Sequence, residues 1–141
     1  NHMEWGELLT WDEFERLGYF NEYGGADTGY ASITLSTLAV YADRAQDRPM
    51  AAWVKSSAAE LGRSLRPNGS YDYTRQSRST QFFYPYALSW SADPSLEKIS
   101  RGVSANEILK PSWMDDRYMA PCAADYLRAA SPPNGILAGA A

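Results

Sequence analysis

The chain has 141 residues and a net charge of −4, and its apolar fraction of 45% and charged fraction of 21% are typical of one globular domain. It contains no Lys/Arg-rich run and no apolar run near about 18 residues, which argues against nucleic-acid binding and against a membrane span. The only cysteine is Cys122 and the only histidine is His2, so an internal disulfide, a histidine-dependent triad and a histidine-ligated metal site are excluded.

The two ends of the chain differ from its middle. Residues 1–3 read Asn-His-Met, which is typical of a cloning remnant, so we expect native sequence from residue 4. We expect one helical domain over 4–130 and a flexible tail over 131–141, because Ser-Pro-Pro-Asn-Gly ends regular structure. Near the start, a short helix is expected around 11–17, followed by a loop at 21–27. The compartment stays open, with the cytoplasm slightly favoured.

The next region predicts a helical hairpin. Asp27 or Thr28 can cap a helix over about 29–42, and this helix should be buried because its residues are apolar almost all round. Asp47 followed by Pro49 begins a second helix, in which apolar residues recur at steps of three and four. The short link between the two helices makes them antiparallel. The recurring apolar residues of the second helix are Met50, Trp53, Val54, Ala58, Leu61 and Leu65.

Three further helices are predicted. One begins at residue 79 or 80 and runs to 92, although Pro85 falls within its first turns and can shift the start. The next is opened by Asp93-Pro94, and the last spans about 113–130. Pro121 either kinks this last helix or separates it from a preceding turn.

The fold class follows from these elements. No segment shows sustained alternation of apolar and polar residues, so essentially no sheet is expected. The sequence therefore predicts an all-α protein of antiparallel helical hairpins stacked as a partial α/α toroid. A compact helical bundle is the alternative.

The most distinctive chemistry lies in the polar stretch 68–81. Four arginines fall at 63, 66, 75 and 78 and are opposed only by Asp72. Because guanidinium groups grip carboxylate, phosphate or sulfate at two points, this stretch predicts a loop that binds an anion or a sugar. The alternative is a solvated loop whose arginines pair with the acidic N-terminal segment. The candidate ligand-binding residues of this stretch are Asn68, Tyr73, Arg75 and Gln81.

Two further segments carry candidate site residues. In Gly24-Gly25-Ala26-Asp27-Thr28-Gly29 the glycines allow close backbone approach, and Asp27 is either a catalytic carboxylate or a helix cap. In Asp115-Asp116-Arg117-Tyr118, Asp116 and Arg117 are candidates for substrate binding, or the acids open a helix and favour its dipole. A metal site is not expected from two adjacent aspartates alone.

The aromatic run that follows the polar stretch is the last candidate. Phe82 and Phe83 are expected in the core. Tyr84 and Tyr86 each carry a hydroxyl that needs a partner when buried, so Tyr86 is a candidate ligand contact.

Three groups of motifs belong together: Asp27-Thr28-Gly29-Tyr30, Pro67 to Tyr71 with Arg78 to Pro85, and Asp115 to Tyr118. They carry a likeness that covers roughly residues 18–130. Together they resemble bacterial α/α-toroid proteins related to heparinase II/III-like polysaccharide lyases. The resemblance implies a stack of helix pairs curving around a cleft. It also implies that the proton α to a uronate carboxylate is removed by tyrosine or histidine.

Carried onto this chain, the resemblance gives roles to individual residues. Arg78 would face the carboxylate of the substrate, Tyr84 would be the acid/base, and Asn68 or Gln81 would support them. The length of the chain gives about half a ring of hairpins, and the open flank of a half ring implies self-association or a place within a larger protein.

Three functions stay open on these grounds. The first is a lyase-like site for a polar, anionic or carbohydrate ligand, without cofactor or metal. The second is a small-molecule cyclase or isomerase of a bacterial biosynthetic pathway, with a cleft lined by rings. The third is a non-catalytic binding or dimerisation module.

Overall fold

The fold consists of helices joined by short turns, seen in a computed structural model that describes residues 21–22, 25–76, 79–115 and 117–131. This confirms the all-α class, because the described sheet is a two-residue antiparallel pair in which Asn21–Glu22 lies beside Gly25–Ala26. Single 3-10 turns lie at Tyr73–Arg75 and Pro111–Trp113. The described α-helices are α1 (Thr28–Ala45), α2 (Arg48–Ser64), α3 (Tyr86–Trp90), α4 (Leu96–Ala105) and α5 (Met119–Ala130).

The predicted hairpin is formed by α1 and α2, and each helix is capped as the sequence predicts. The Asp27 carboxylate accepts a hydrogen bond from the backbone N–H of Tyr30 at 3.0 Å. Asp47 likewise accepts from the backbone N–H of Met50 at 2.9 Å, with a proline in the first turn. Between the helices, Gln46 adopts the left-handed conformation with φ 54°, which turns the chain back within two residues.

The buried face of α1 differs from the prediction. It is built from small residues, and Tyr41, expected in the core, is 51% exposed. The small residues let α1 approach the segment that leads into α3 closely. There the Ser32 hydroxyl accepts from the backbone N–H of Tyr84 at 3.0 Å. The buried residues of α1 are Gly29, Ser32, Leu35, Ser36, Ala39 and Ala42.

The third helix is much shorter than predicted, because it runs only from Tyr86 to Trp90. Pro85 lacks an N–H and disfavours helical conformation in the residue before it, so residues 80–85 stay outside the helix. Helix α3 packs against α1, α2 and α5, and its Leu88 and Trp90 are fully buried. This short helix therefore lies at the centre of the core.

The last two helices complete the core. The Asp93 carboxylate accepts from the backbone N–H of Ser95 at 2.8 Å and turns the chain into α4, as Asp93-Pro94 predicts. The final helix begins at Met119 rather than near residue 113, and Pro121 lies in its first turn. Pro121 thus separates a preceding turn from the helix proper. The predicted cloning remnant, the helix at 11–17 and nearly all of the tail lie outside the described residues.

Candidate functional site

A surface cleft of about 430 Å³ is the candidate site, because it gathers residues from three distant parts of the sequence. Tyr30 comes from the first turn of α1, Phe82 from the segment before α3, and Tyr118 from the turn before α5. These residues belong to the three groups of motifs on which the family resemblance rests. The other residues of its wall are Ser79, Thr80, Gln81, Leu109, Trp113, Met114 and Asp115.

The floor of the cleft is a set of packed aromatic rings centred on Phe82, which is buried. The ring of Tyr118 lies 5.0 Å from that of Phe82, centroid to centroid, and is tilted by 30°. The Tyr30 ring meets Phe82 edge to face at 5.7 Å, and Tyr84 meets it in the same way at 5.9 Å. Such offset and edge-to-face contacts are the favourable arrangements for aromatic pairs, so the floor is well held.

One wall of the cleft carries an exposed tryptophan. Trp113 ends the 3-10 turn that follows Lys110, and 52% of its surface is accessible to solvent. The Lys110 ammonium lies 4.7 Å from the centroid of the indole ring and also contacts the side chain of Asn106. An exposed indole beside a cation offers a flat surface for a ligand ring, with a positive charge close by.

Polar groups lie along the rim of the cleft. The Arg117 guanidinium donates to the Tyr118 hydroxyl at 3.2 Å and lies 5.0 Å from the centre of that ring. The hydroxyls of Tyr118 and Tyr30 are 3.4 Å apart. Asp115 and Gln81 are exposed on the wall. A ligand in the cleft would therefore contact aromatic rings at the floor. At the rim it would meet neutral hydrogen-bond donors, such as the Gln81 amide, and the charged guanidinium of Arg117.

Residues 80–82, which form part of the cleft wall, are held in place by contacts with Gly29 and Tyr71. A Cβ on Gly29 would lie 2.5 Å from the Thr80 methyl group and 3.2 Å from the backbone oxygen of Phe82, so only glycine allows this approach. The Tyr71 hydroxyl lies 2.9 Å from the carbonyl oxygen of Thr80 and 2.7 Å from that of Phe82. Burial raises the pKa of Tyr71, and the nearby Asp27 carboxylate adds to the effect, so this hydroxyl stays protonated and donates to those carbonyl groups.

The start of α3, which follows residues 80–85, is supported by the buried carboxylate of Asp125. Asp125 is 2% exposed, and its Oδ2 accepts from the backbone N–H of Tyr86 at 2.9 Å and from the Ser36 hydroxyl at 3.3 Å. The backbone N–H of Ala87 points to the same serine oxygen at 3.4 Å. Side chains of α1 and α5 therefore satisfy the free N–H groups at the start of α3. Burial raises the pKa of Asp125 to about 6. The hydrogen bonds from Tyr86 and Ser36 and the charge of Arg128 act in the opposite direction, but their effect is smaller.

Several predicted site residues contribute to the structure of the protein. Asp27 caps α1 and is buried. Tyr84 is 5% exposed, and its hydroxyl lies 3.5 Å from the backbone oxygen of Tyr118, so its ring lies beneath the cleft and outside its lining. Tyr86 packs in the core with Trp90, and burial raises its pKa above the ordinary value.

The remaining predicted residues fall into separate groups. Gln81 lines the cleft, and Arg117 contacts the lining residue Tyr118. Tyr73 lines a smaller cavity, and the Asn68 side chain accepts from both the backbone N–H and the hydroxyl of Ser70. Arg78, Asp116 and the side chain of Arg75 lie outside the described residues.

Sequence reasoning missed two residues of importance here. Trp113 was expected inside a helix, where an aromatic side chain usually packs in the core. Asp125 carried a detectable signal, because it shares the buried face of α5 with Cys122 and Ala129 and a carboxylate on such a face needs partners.

Comparison of the chain with protein families, with curated proteins and with solved structures finds no match. Within the described parts of the chain, no three His, Cys, Asp or Glu side chains come together in a way that could hold a metal ion. None of the described helices has the length and apolar character needed to cross a bilayer.

Proposed function

We propose that the cleft binds a polar ligand with a flat or sugar-like ring, and that recognition of this ligand is the function of the domain. One observation carries the proposal: three distant segments meet to place aromatic rings and polar side chains around one cleft. Its volume of about 430 Å³ lies in the range of small-molecule sites. Packed rings below and hydrogen-bonding groups at the rim suit a molecule with one apolar face and a polar edge.

The charges around the cleft favour a ligand with a negative group. Lys110 and Arg117 both lie beside rings of the cleft, and among the lining residues that the structure describes Asp115 is the acidic one. A carboxylate or sulfate near Arg117 would gain a charge-assisted hydrogen bond. An acidic saccharide, the substrate class implied by the family resemblance, combines such a group with a ring that stacks on Trp113.

Binding can be tested by titrating the protein with short oligosaccharides, neutral and uronate-containing, and following backbone amide shifts by NMR. We expect shifts around the cleft and a dissociation constant at least about tenfold larger for Trp113→Ala, because a lost ring contact costs on the order of 1.5 kcal/mol. Tyr41→Ala is the matched control, since Tyr41 is equally exposed, at 51%, but lies outside the cleft lining. Failure of every saccharide to bind, or equal binding by Trp113→Ala, would overturn the proposal.

The contact between Arg117 and Tyr118 favours a second candidate function, elimination from a uronate. A tyrosine acting as base needs a cation near its oxygen. Tyr118 lines the cleft, and the Arg117 guanidinium lies 3.2 Å from its hydroxyl. This would move the acid/base role from the buried Tyr84 to Tyr118. Ultraviolet absorbance of the unsaturated product would be lost in Tyr118→Phe and retained in Tyr84→Phe. The reverse pattern would return the role to Tyr84.

The arrangement of the helices bears on the proposal as well. Contacts of the short helix α3 with α1, α2 and α5 support a compact helical bundle more than a partial α/α toroid. In a bundle the site would be a surface cleft, whereas in a toroid it would open at the centre of the ring. Self-association stays a prediction, and light scattering would measure it directly.

A further inference from the structure

Three spaces on the surface adjoin one another, beginning at the cleft. The cleft shares Gln81 and Leu109 with a small cavity of about 50 Å³. That cavity in turn shares Glu107 with a wide, shallow depression of about 800 Å³ beside α4. The side chains of Gln81 and Glu107 are exposed, so surface side chains form the boundaries between neighbouring spaces. The cleft, the small cavity and the depression therefore lie in one row, which we call the path.

The path brings together three residues that the sequence predicts to bind a ligand. Gln81 lines the cleft and the small cavity, Tyr73 lines the small cavity, and Asn68 lines the depression. All three come from the polar stretch 68–81. The cleft accounts for one of them, whereas the path accounts for all three.

An exposed aromatic ring lies part-way along the path. Tyr73 is 37% exposed, and its ring meets that of Tyr71 edge to face at 6.2 Å. The Tyr71 hydroxyl lies within hydrogen-bond distance of the carbonyl groups of residues 80 and 82, so one residue supports both Tyr73 and the cleft wall. Together with Trp113 in the cleft, Tyr73 offers a second flat surface to another ring of the same ligand.

The depression at the end of the path carries a cation. Arg101 lines it, and the Arg101 guanidinium lies 3.7 Å from the carboxylate of Glu97, one helical turn away. The two side chains are 60% and 74% exposed, and an ion pair with this exposure contributes little to stability. The guanidinium can therefore exchange Glu97 for a carboxylate of a ligand at small cost. Glu107, at the boundary with the small cavity, can accept hydrogen bonds from ligand hydroxyls.

We propose that the path binds a chain of sugar rings, with an acidic group at each end of the bound stretch, rather than a single ring. Trp113 holds the first ring, Tyr73 holds a later ring, and Arg101 binds the distal carboxylate. The path depends on the proposed function, because the cleft is its first part. The ligand class is thereby narrowed to an acidic oligosaccharide.

Galacturonate oligomers of one to six rings test the path by NMR titration of the whole chain. We expect the dissociation constant to fall as the oligomer lengthens and then to level off. Arg101→Ala should weaken binding of the hexamer about three- to fivefold, the size expected for an ion pair on an exposed surface, and should leave binding of the single ring unchanged. A longer oligomer also has more ways of placing a ring in the cleft. That gain is kept in Arg101→Ala, so comparison with the parent isolates the distal contact.

Arg63→Ala is the matched control. Arg63 is also exposed and paired with a glutamate of its own helix, but it lies outside the lining of the path. An equal loss of affinity in the two variants, or equal binding of the hexamer by the parent and Arg101→Ala, refutes the path. Hexaglutamate carries similar charges without rings, and if it binds as tightly as the hexamer the path is also refuted. In these cases the proposed function stands if Trp113→Ala still weakens binding of the single ring. Failure of every oligomer to bind refutes both.

Discussion

The buried carboxylate of Asp125 makes the stability of the protein depend on pH in a direction opposite to that of most aspartates. Its pKa rises from the ordinary 3.8 to about 6, mainly because burial disfavours the charged form. Since the folded state holds the proton more tightly than the unfolded state, the stabilising contribution is complete below about pH 3.8 and is lost as the pH rises through about 6. At about 1.4 kcal/mol for each unit of pKa, the carboxylate costs the folded state on the order of 3 kcal/mol at pH 7.

Replacement of Asp125 by asparagine isolates this effect. The amide oxygen of Asn can accept the same hydrogen bonds from the Tyr86 N–H and the Ser36 hydroxyl, whereas the buried charge is removed. We expect Asp125→Asn to be more stable than the parent by about 2–3 kcal/mol at pH 7, with the difference shrinking to near zero at pH 4. The side-chain NH2 of the introduced asparagine is a donor that needs its own acceptor, and its burial keeps the gain in the free energy of unfolding below the full cost of the charge.

Urea unfolding followed by circular dichroism at pH 4, 5, 6 and 7 gives the free energies of unfolding for this comparison. Asp115→Asn is the matched control, because Asp115 is exposed and its replacement removes the same charge from the surface. A difference between Asp125→Asn and the parent that does not change with pH would refute the reasoning. So would a variant that is less stable than the parent at pH 7.

Two further substitutions test the backbone. Gly29→Ala should lower the melting temperature by the equivalent of about 1–3 kcal/mol, because the new methyl group would collide with Thr80 and with the backbone of Phe82. Helix propensity alone predicts a gain of about 1 kcal/mol, so a higher melting temperature would show that the contact is not tight. Gln46→Gly should raise the free energy of unfolding by about 0.5–1 kcal/mol, since φ is 54° there and glycine adopts this conformation without strain. Chemical denaturation measures this gain, and a loss would contradict it.

The parts of the fold that local chemistry decides were predictable. Aspartate is strongly favoured at the N-cap of a helix, and Asp27 and Asp47 both cap helices as expected. The apolar stripe of α2 has the helical period, and it does face the core. The start of α3 was not predictable in this way, because the helix-forming preference of residues 80–84 competes with Pro85 and with long-range bonds from Ser36 and Asp125.

The candidate site could be located in the sequence better than its members could be named. The segments at 27–30, 78–85 and 115–118 were recognised, and described residues of each one line the cleft or support it. Which side chains enter a cleft depends on the geometry of the turn that carries them. The spacing of apolar residues in the sequence does not predict that geometry. Trp113 projects from a 3-10 turn where a helix was predicted, so its exposure could not be foreseen.

The five-residue helix α3 also constrains the order in which the chain folds. A single turn of helix is unstable in water, since nucleation fixes several residues for one hydrogen bond. Its first N–H groups, moreover, are satisfied by side chains 51 and 39 residues away in the sequence. The hairpin of α1 and α2 contains mostly local contacts and can form early, whereas α3 acquires its structure only when α5 has docked. The rate-limiting step of folding should therefore require α5, and Asp125→Ala, which removes these hydrogen bonds, should slow refolding.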